Sequence, residues 1–292
     1  MKFACATAMN DPLHFVELAR AAEAHGFAAV AVSDHLAFPR RLESKYPYTD
    51  DGLPWWDQQT TPWPDPLVAI AMMAAATETL EFFTNIYVLP ARHPVHVAKQ
   101  LSTLSVMSRD RVALGVGMGW MREEFELADQ QFAARGRRAD EAIAVIRKLS
   151  AGGWQQHHGE FYDFPEITMQ PEPPAAPRIL VGGTSQRALK RAAENDGWIS
   201  ERQSSEEILA SLDWIGQRRR ELGKADSPFE SWVSPIDAFE PAAISELGKK
   251  GVTGILTMPW VLYEGREQVP LDAKLSAFER YAREVIQPVK GD

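Results

Sequence analysis

Short apolar runs rich in β-branched residues alternate along the whole chain with amphipathic segments of about helix length. Residues 2–7 and 28–33 are predicted as strands, and between them Asp11 and Pro12 open a helix that Gly26 ends. The same alternation predicts further strands at residues 80–89, 111–116, 179–181, 198–200, 231–236 and 252–258. It also predicts helices that include residues 137–150, 185–195, 205–222 and 271–286.

The count of eight strands and eight helices favours one architecture over another. Eight βα units in 292 residues predict a single (β/α)8 domain, a TIM barrel, over residues 1–292. A doubly wound open sheet is the competing interpretation. It would have fewer strands or a second domain, and no linker divides the chain.

Two connections are longer than ordinary loops. Residues 36–64 follow the second strand and carry five prolines together with Trp55, Trp56 and Trp63. In a barrel this segment would lie at the carboxyl ends of the strands, where active sites form, so we expect an active-site loop. The irregular segment 153–177 precedes the fifth strand, so we expect it at the opposite face, with a small hairpin and a proline-rich return.

Composition and charge argue against several kinds of partner and site. The chain has 31 basic and 40 acidic residues, a net charge of −9, which argues against nucleic acid or an anionic membrane surface as the main partner. Its one cysteine, Cys5, excludes a disulfide framework and a multi-cysteine metal site. No apolar run has the length of a signal peptide or a membrane span, so a cytoplasmic enzyme is expected.

The predicted strand ends nominate candidate site residues, because chemistry in a barrel collects there. The second strand leads into Asp34 and His35, and the third contains Asn85 and Ile86. The later strands end at Gly117, Met118 and Trp120, at Gly182, Gly183 and Thr184, at Glu201 and Arg202, and at Trp260.

Three of these places have an alternative interpretation. Gly182-Gly183-Thr184 before a helix favours phosphate binding, yet a tight turn would also require glycine. The run 115–119 lacks the dinucleotide spacing because Trp120 holds the third glycine position, which leaves Trp120 as a ring or substrate contact or as a rim hydrophobe. His35 suits proton transfer or simply caps local backbone.

Other chemistries lack their motifs. No H-x-H or H-x-x-x-H pair occurs, so no catalytic metal is expected. No G-x-S-x-G elbow occurs, which weighs against a hydrolase. Glu123 and Glu124 are interpreted as solvated helix surface.

Together these pieces resemble the luciferase-like flavin and deazaflavin oxidoreductases, most closely the branch that uses coenzyme F-420. The resemblance covers about residues 1–200. Its motifs are Ser33-Asp34-His35, the run TNIYVLP at 84–90, the run RVALGVGMGW at 111–120, Val181-Gly182-Gly183 and Asp196-Gly197-Trp198.

The resemblance implies a role for each matching residue. Asn85-Ile86 matches a bulge, often with a non-proline cis peptide, that presses on the back of the tricyclic ring. Asp34 matches a ring contact, and His35 matches a proton donor or acceptor. Gly182 and Gly183, with Thr184, match the phosphate turn, and Gly117 and Met118 would lie beside the cofactor. Trp55, Trp56, Trp120 and Trp260 would line the substrate pocket.

The resemblance leaves several functions open. The first is F-420-dependent hydride transfer to or from a largely apolar small organic substrate. The second is an FMN-dependent two-component monooxygenase supplied by a flavin reductase, and the third is a non-catalytic flavin-binding barrel. A homodimer is the expected assembly. F-420 is a polyanion, so its binding would require a basic patch from Arg92, Arg187, Lys190 and Arg202 near the Gly182-Gly183 turn.

Overall fold

A computed structural model describes residues 1–291 and arranges most strands in one barrel. The strands are β1 (Lys2–Ala6), β2 (Ala29–Val32), β3 (Glu81–Thr84), β4 (Tyr87–Val88), β5 (Val112–Gly117), β6 (Gln155–His158), β7 (Asp163–Ile167), β8 (Ile179–Gly182), β9 (Gly197–Gln203), β10 (Glu230–Pro235) and β11 (Gly254–Thr257). The helices are α1 (Phe15–Ala24), α2 (Pro66–Ala75), α3 (Pro94–Ser108), α4 (Arg122–Leu127), α5 (Arg135–Ser150), α6 (Gln186–Glu194), α7 (Ser205–Glu221), α8 (Pro241–Lys249), α9 (Pro259–Glu264), α10 (Leu271–Tyr281) and α11 (Gln287–Gly291).

The barrel is closed and parallel. Its strands follow the order β3, β2, β1, β11, β10, β9, β8 and β5, and β5 pairs back with β3. Strand β4 pairs with Val116 and Gly117 at the end of β5, so it extends the position of β3 rather than adding a ninth strand. The predicted (β/α)8 barrel is therefore confirmed.

The structure refines two of the predicted segments. The strand predicted over residues 80–89 is broken after Thr84, and the Asn85–Ile86 peptide bond inside the break is cis. The hairpin predicted within residues 153–177 is present as the antiparallel pair β6 and β7. The break in the third strand lies where side-chain periodicity carries little information, because backbone geometry sets it.

Two apolar layers stabilise the barrel. The larger layer fills the space between strands and helices. The smaller layer fills the barrel interior, where alanines on β1, β2 and β5 face larger side chains from the other strands. Phe83 and Trp232 stack there with ring centroids 5.1 Å apart, and they fill the volume that the alanines leave.

Helix starts follow the signals in the sequence. Asp65 caps α2 by accepting from the N–H groups of Leu67 and Val68, both at 3.0 Å, and Pro66 takes the first helical position. These caps fix where the 36–64 loop ends. Within residues 1–291 no helix is both long and apolar enough to cross a bilayer.

Candidate active site

Aromatic side chains cover the carboxyl-end face of the barrel around His35. Phe38 and Trp63 lie closest, with ring centroids 4.6 and 4.8 Å from the imidazole. Trp56 and Trp120 follow at 6.0 and 5.9 Å. The long loop after β2 therefore lies over the strand ends, as its place in the sequence predicts.

Tyr46 links the outer part of this aromatic cluster. Its ring lies 5.0 to 5.3 Å from the rings of Trp55, Trp56 and Trp120, in edge-on geometry. Three of the four tryptophans nominated for the substrate pocket are thus brought together. Tyr46 was not nominated from the sequence, where only its place in the 36–64 loop pointed to the site.

Trp260 is the fourth nominated tryptophan, and the structure places it elsewhere. It is fully buried on α9, where it packs against Phe278 of α10 at 6.0 Å. Its indole N–H donates to the Glu267 carbonyl at 2.9 Å. The substrate-pocket assignment for Trp260 is corrected, because the ring faces the helix layer and not the aromatic cluster. Met118 lies just past β5, half-buried at the edge of the mouth.

His35 is held by a buried carboxylate. Its Nδ1 lies 3.1 Å from Oε1 of Glu124, and the same oxygen accepts from the Leu36 N–H at 2.6 Å. An oxygen that accepts from the Leu36 N–H acts as an acceptor toward His35 as well, which assigns the proton to Nδ1 and leaves Nε2 with its lone pair. Glu124 is 1% exposed, so its interpretation as solvated surface is wrong. A single sequence cannot show that the fold brings α4 under His35.

Asp34 forms a buried ion pair with Arg92. Its two oxygens accept from the guanidinium at 2.7 Å each, and one also accepts from the Val88 N–H at 2.8 Å. Burial raises the pKa of the Asp34 carboxyl, while the Arg92 charge opposes that shift. The bidentate geometry keeps the pair ionised. Asp34 therefore ties the end of β2 to β4, and Arg92 is neutralised rather than free to form the expected basic patch.

Ile86 explains two of the nominated glycines. A Cβ on Gly117 would lie 2.1 Å from Cδ1 of Ile86, and a Cβ on Gly182 would lie 2.4 Å from Cγ2 of Ile86. Both positions must be glycine for the Ile86 side chain to fit between β5 and β8. The bulge that the resemblance implies thus lies where β4, β5 and β8 meet.

The Gly182-Gly183 turn uses its backbone groups internally. The Gly183 N–H donates to the Ile199 carbonyl at 3.1 Å, and the Gly183 carbonyl accepts from the Trp198 indole at 2.8 Å. Gly183 has φ +113°, which only glycine adopts readily. Thr184, one residue later, is exposed at the start of α6. The Gly183 N–H is therefore already used within the chain, and Thr184 is the first residue after it with an exposed hydroxyl for an anion.

Three arginines lie within reach of one another's charge, and one of them, Arg187, is in the first turn of the helix that follows this turn. The guanidinium carbons of Arg122 and Arg135 lie 5.0 and 3.8 Å from the centroid of the Phe132 ring. Burial and the neighbouring charges of Arg122 and Arg187 lower the pKa of Arg135. Within residues 1–291 the Nε of Arg135 is buried without a hydrogen-bond partner. This cluster, here called the arginine cluster, holds positive charge in excess at the carboxyl-end face.

The arginine cluster only partly matches the expected basic patch. Arg187 belongs to it, and Lys190 is exposed one turn further along α6. Arg202 instead lies over the Trp55 ring, 5.4 Å from its centroid. Sequence reasoning missed Arg122 and Arg135, because neither follows a strand end directly and both depend on how α4, α5 and α6 pack.

Polar atoms without partners surround His35. In the described part of the chain, Trp56 Nε1, Trp63 Nε1 and Glu124 Oε2 are buried and have no hydrogen-bond partner. Leaving such a group unpaired costs about 1–3 kcal/mol. Their position next to His35 fits a site that receives the polar atoms of a bound molecule.

Comparisons with known proteins show the family of the chain. Residues 4–236 match the model of the luciferase-like monooxygenase family. The chain is 38% identical over 292 residues to an uncharacterized protein of Mycobacterium tuberculosis, covering 99% of this chain and all of that protein. It is 32% identical over 185 residues to an FMNH2-dependent dimethylsulfone monooxygenase of Pseudomonas fluorescens, covering 62% of this chain and 49% of that protein.

A solved structure shows the same fold at low identity. The coenzyme F-420 dependent tetrahydromethanopterin reductase from Methanopyrus kandleri superposes with a TM-score of 0.73 at 15% identity. The superposition covers 98% of each chain. The likeness extends over the whole barrel.

Proposed function

The chain belongs to the luciferase-like monooxygenase family, and from that premise we propose that it is a coenzyme F-420-dependent oxidoreductase. In this proposal it transfers hydride to or from a largely apolar small organic substrate. The family consists of oxidoreductases and monooxygenases that use a flavin or F-420. The arginine cluster is the observation that carries the choice of F-420.

The residues of the barrel mouth fit such a cofactor. Ile86 offers an apolar surface where β4, β5 and β8 meet, against which a flat ring would rest. Arg122, Arg135 and Arg187 offer charge for a phosphate and a glutamate tail. Thr184 offers an exposed hydroxyl between the two. A cofactor with several negative charges relieves the repulsion within the arginine cluster better than one with a single phosphate.

Each side chain of the site then has a defined task. The bound deazaflavin would supply the ring carbon that takes or gives hydride. His35 would accept or donate the substrate proton at Nε2, while Glu124 holds the imidazole at Nδ1. The aromatic cluster would exclude water and favour an uncharged, apolar substrate.

A second candidate is an FMN-dependent monooxygenase that receives reduced flavin from a reductase partner. Its support is the 32% identity to the FMNH2-dependent dimethylsulfone monooxygenase. A non-catalytic flavin-binding barrel is the third candidate. It would bind the ring without turnover.

A binding titration tests the choice of cofactor. We expect purified protein to bind F-420 more tightly than FMN, followed by the change in cofactor absorbance or fluorescence. Arg135→Gln should weaken F-420 binding about tenfold, because one charge-assisted hydrogen bond to a phosphate or carboxylate is lost. FMN binding should change less.

The matched control is Arg137→Gln, two residues away. Arg137 is 67% exposed and already pairs with Glu160, so its loss should leave both affinities unchanged. Tight FMN binding with no response to F-420 would overturn the proposal and favour the monooxygenase. Ring binding without turnover would favour the non-catalytic barrel.

We also propose a homodimer, located in the cytoplasm, that pairs through α2. Val68 and Met72 are more than half exposed, and Ala71 and Ala75 complete an exposed apolar stripe at helix spacing. A self-complementary stripe of this kind suits a two-fold interface between copies. Segments 135–138 and 214–220, the alternative surfaces for pairing, are charged by comparison.

The dimer is tested by one charge in the stripe. We expect Met72→Asp to give a monomer in analytical ultracentrifugation under conditions where the unaltered chain sediments as a dimer. Leu222→Asp, an exposed position at the end of α7 on the far side of the barrel, serves as the control and should stay dimeric. A monomeric parent protein would contradict the proposal.

A further inference from the structure

Glu201 points toward the barrel axis at the carboxyl end of β9. Side chains alternate along a strand, and Ile199, two residues earlier, belongs to the interior layer. The same alternation on β3 puts Phe83 in the interior layer and Asn85 one level above it. The Asn85 amide donates to Oε1 of Glu201 at 2.5 Å, which confirms that both side chains reach the top of the barrel interior.

Glu201 lies opposite His35. Going round the barrel in either direction, β2 and β9 are four strands apart out of eight. His35 follows β2 and Glu201 ends β9, so the two groups approach the mouth from opposite sides. The aromatic cluster spans the distance between them through Tyr46 and Trp120.

The surroundings of Glu201 favour its neutral form. The ionisable groups that face it are Tyr46 and Tyr48 from the 36–64 loop and Arg202 from its own strand. Burial raises the pKa of the Glu201 carboxyl, and the Asn85 hydrogen bond and the Arg202 charge only partly oppose the shift. Arg202 is drawn toward the Trp55 ring and does not pair with the carboxyl in the manner of Arg92 with Asp34.

We propose that the Glu201 carboxyl is a hydrogen-bond donor to the oxygen of an uncharged carbonyl or alcohol substrate. Asn85 donates to one carboxyl oxygen, which leaves the other oxygen to carry the proton and donate it to a ligand. The proposal rests on the proposed function insofar as it treats the mouth as the substrate site of an oxidoreductase. It adds the substrate class and a second polar anchor across from His35.

Infrared spectroscopy of the full chain tests the protonation of Glu201 without any cofactor. At neutral pH we expect a carboxylic-acid C=O band that shifts in deuterium oxide and is lost in Glu201→Gln. The control is Glu206→Gln, an exposed position in the first turn of α7, which should keep the band. A spectrum of Glu201→Gln identical to that of the parent protein would overturn the proposal.

Binding of a probe pair tests the hydrogen bond. Cyclohexanone carries one acceptor oxygen, and methylenecyclohexane has nearly the same shape without it. We expect a saturation-transfer NMR titration to show tighter binding of the ketone. Glu201→Leu should weaken ketone binding about three- to tenfold and leave the hydrocarbon unchanged. Glu201→Gln keeps a donor and should stay near the parent value.

The pH dependence gives a further readout. Ketone binding by the parent protein should fall as pH rises through the Glu201 pKa, because the ionised carboxylate cannot donate. Binding by Glu201→Gln should stay level over the same range. Equal ketone affinity in Glu201→Leu and the parent protein would overturn the proposal. Both measurements use protein without cofactor, so their outcome is independent of whether F-420 or FMN binds.

Discussion

Replacing His35 by asparagine is expected to lower turnover by about 10²–10⁴-fold, the usual contribution of a positioned acid or base. Asparagine keeps a polar group of similar reach near Glu124, but it has no nitrogen that exchanges a proton near neutral pH. The assay would follow F-420 absorbance with neutral alcohols or ketones that the parent protein turns over. Cofactor affinity should remain within about twofold, because a spectral titration does not depend on proton transfer.

The control for His35 is a histidine far from the mouth. His158 lies on the β6–β7 hairpin and is 67% exposed, so His158→Asn should keep full turnover. Glu124→Gln tests the partner of His35. It should lower turnover less than His35→Asn does, because the neutral amide still orients the ring but stabilises the imidazolium less. Unchanged turnover in His35→Asn with cofactor bound would show that the proton-transfer role is wrong.

The alternation of apolar and polar segments was enough to predict the barrel. Short apolar strands and amphipathic helices alternate eight times, which is typical of βα units around a parallel sheet, and the count without a dividing linker favoured the closed barrel over a doubly wound open sheet. Strand ends then nominated Asp34, His35 and Asn85, and the structure places all three at the mouth. Local sequence and topology determine these positions together.

The contacts of those residues could not be predicted in the same way. Glu124 reaches His35 across 89 positions of sequence, and Arg135 reaches Arg187 across the α5–α6 contact. Such pairs depend on helix packing, which leaves no local pattern. Trp260 is a nominated residue that lies away from the mouth. A tryptophan that follows a strand looks the same in the sequence whether its ring faces the mouth or the helix layer.

Glycine can be required at a position for more than one reason. Gly117 and Gly182 suggested close approach to a cofactor, and the structure shows close approach to Ile86. The need for glycine at both positions thus has a cause within the chain, while their contact with a cofactor stays a prediction. The cofactor ring would therefore rest on Ile86 rather than on the glycines themselves.

Replacing Arg92 by methionine is expected to destabilise the fold by about 3–5 kcal/mol, because it strands a buried carboxylate. The Asp34 side chain is 1% exposed and would lose both guanidinium bonds, keeping only the Val88 N–H. Methionine has a similar length and retains the contact with the Tyr87 ring, over which the Arg92 guanidinium lies at 4.4 Å. Urea denaturation with a linear extrapolation measures the loss.

Two further variants separate the stranded charge from the lost packing. Arg218→Met removes a partly exposed arginine that pairs with the exposed Glu221, and it should change stability by less than about 1 kcal/mol. Asp34→Asn combined with Arg92→Met should be more stable than Arg92→Met alone, because no buried charge is left unpaired. Acid should also narrow the deficit of Arg92→Met, since protonation neutralises Asp34, whose pKa burial raises. If the double variant were no more stable than Arg92→Met, packing rather than charge would account for the loss, and Asp34 would not hold β4 in place through its ion pair.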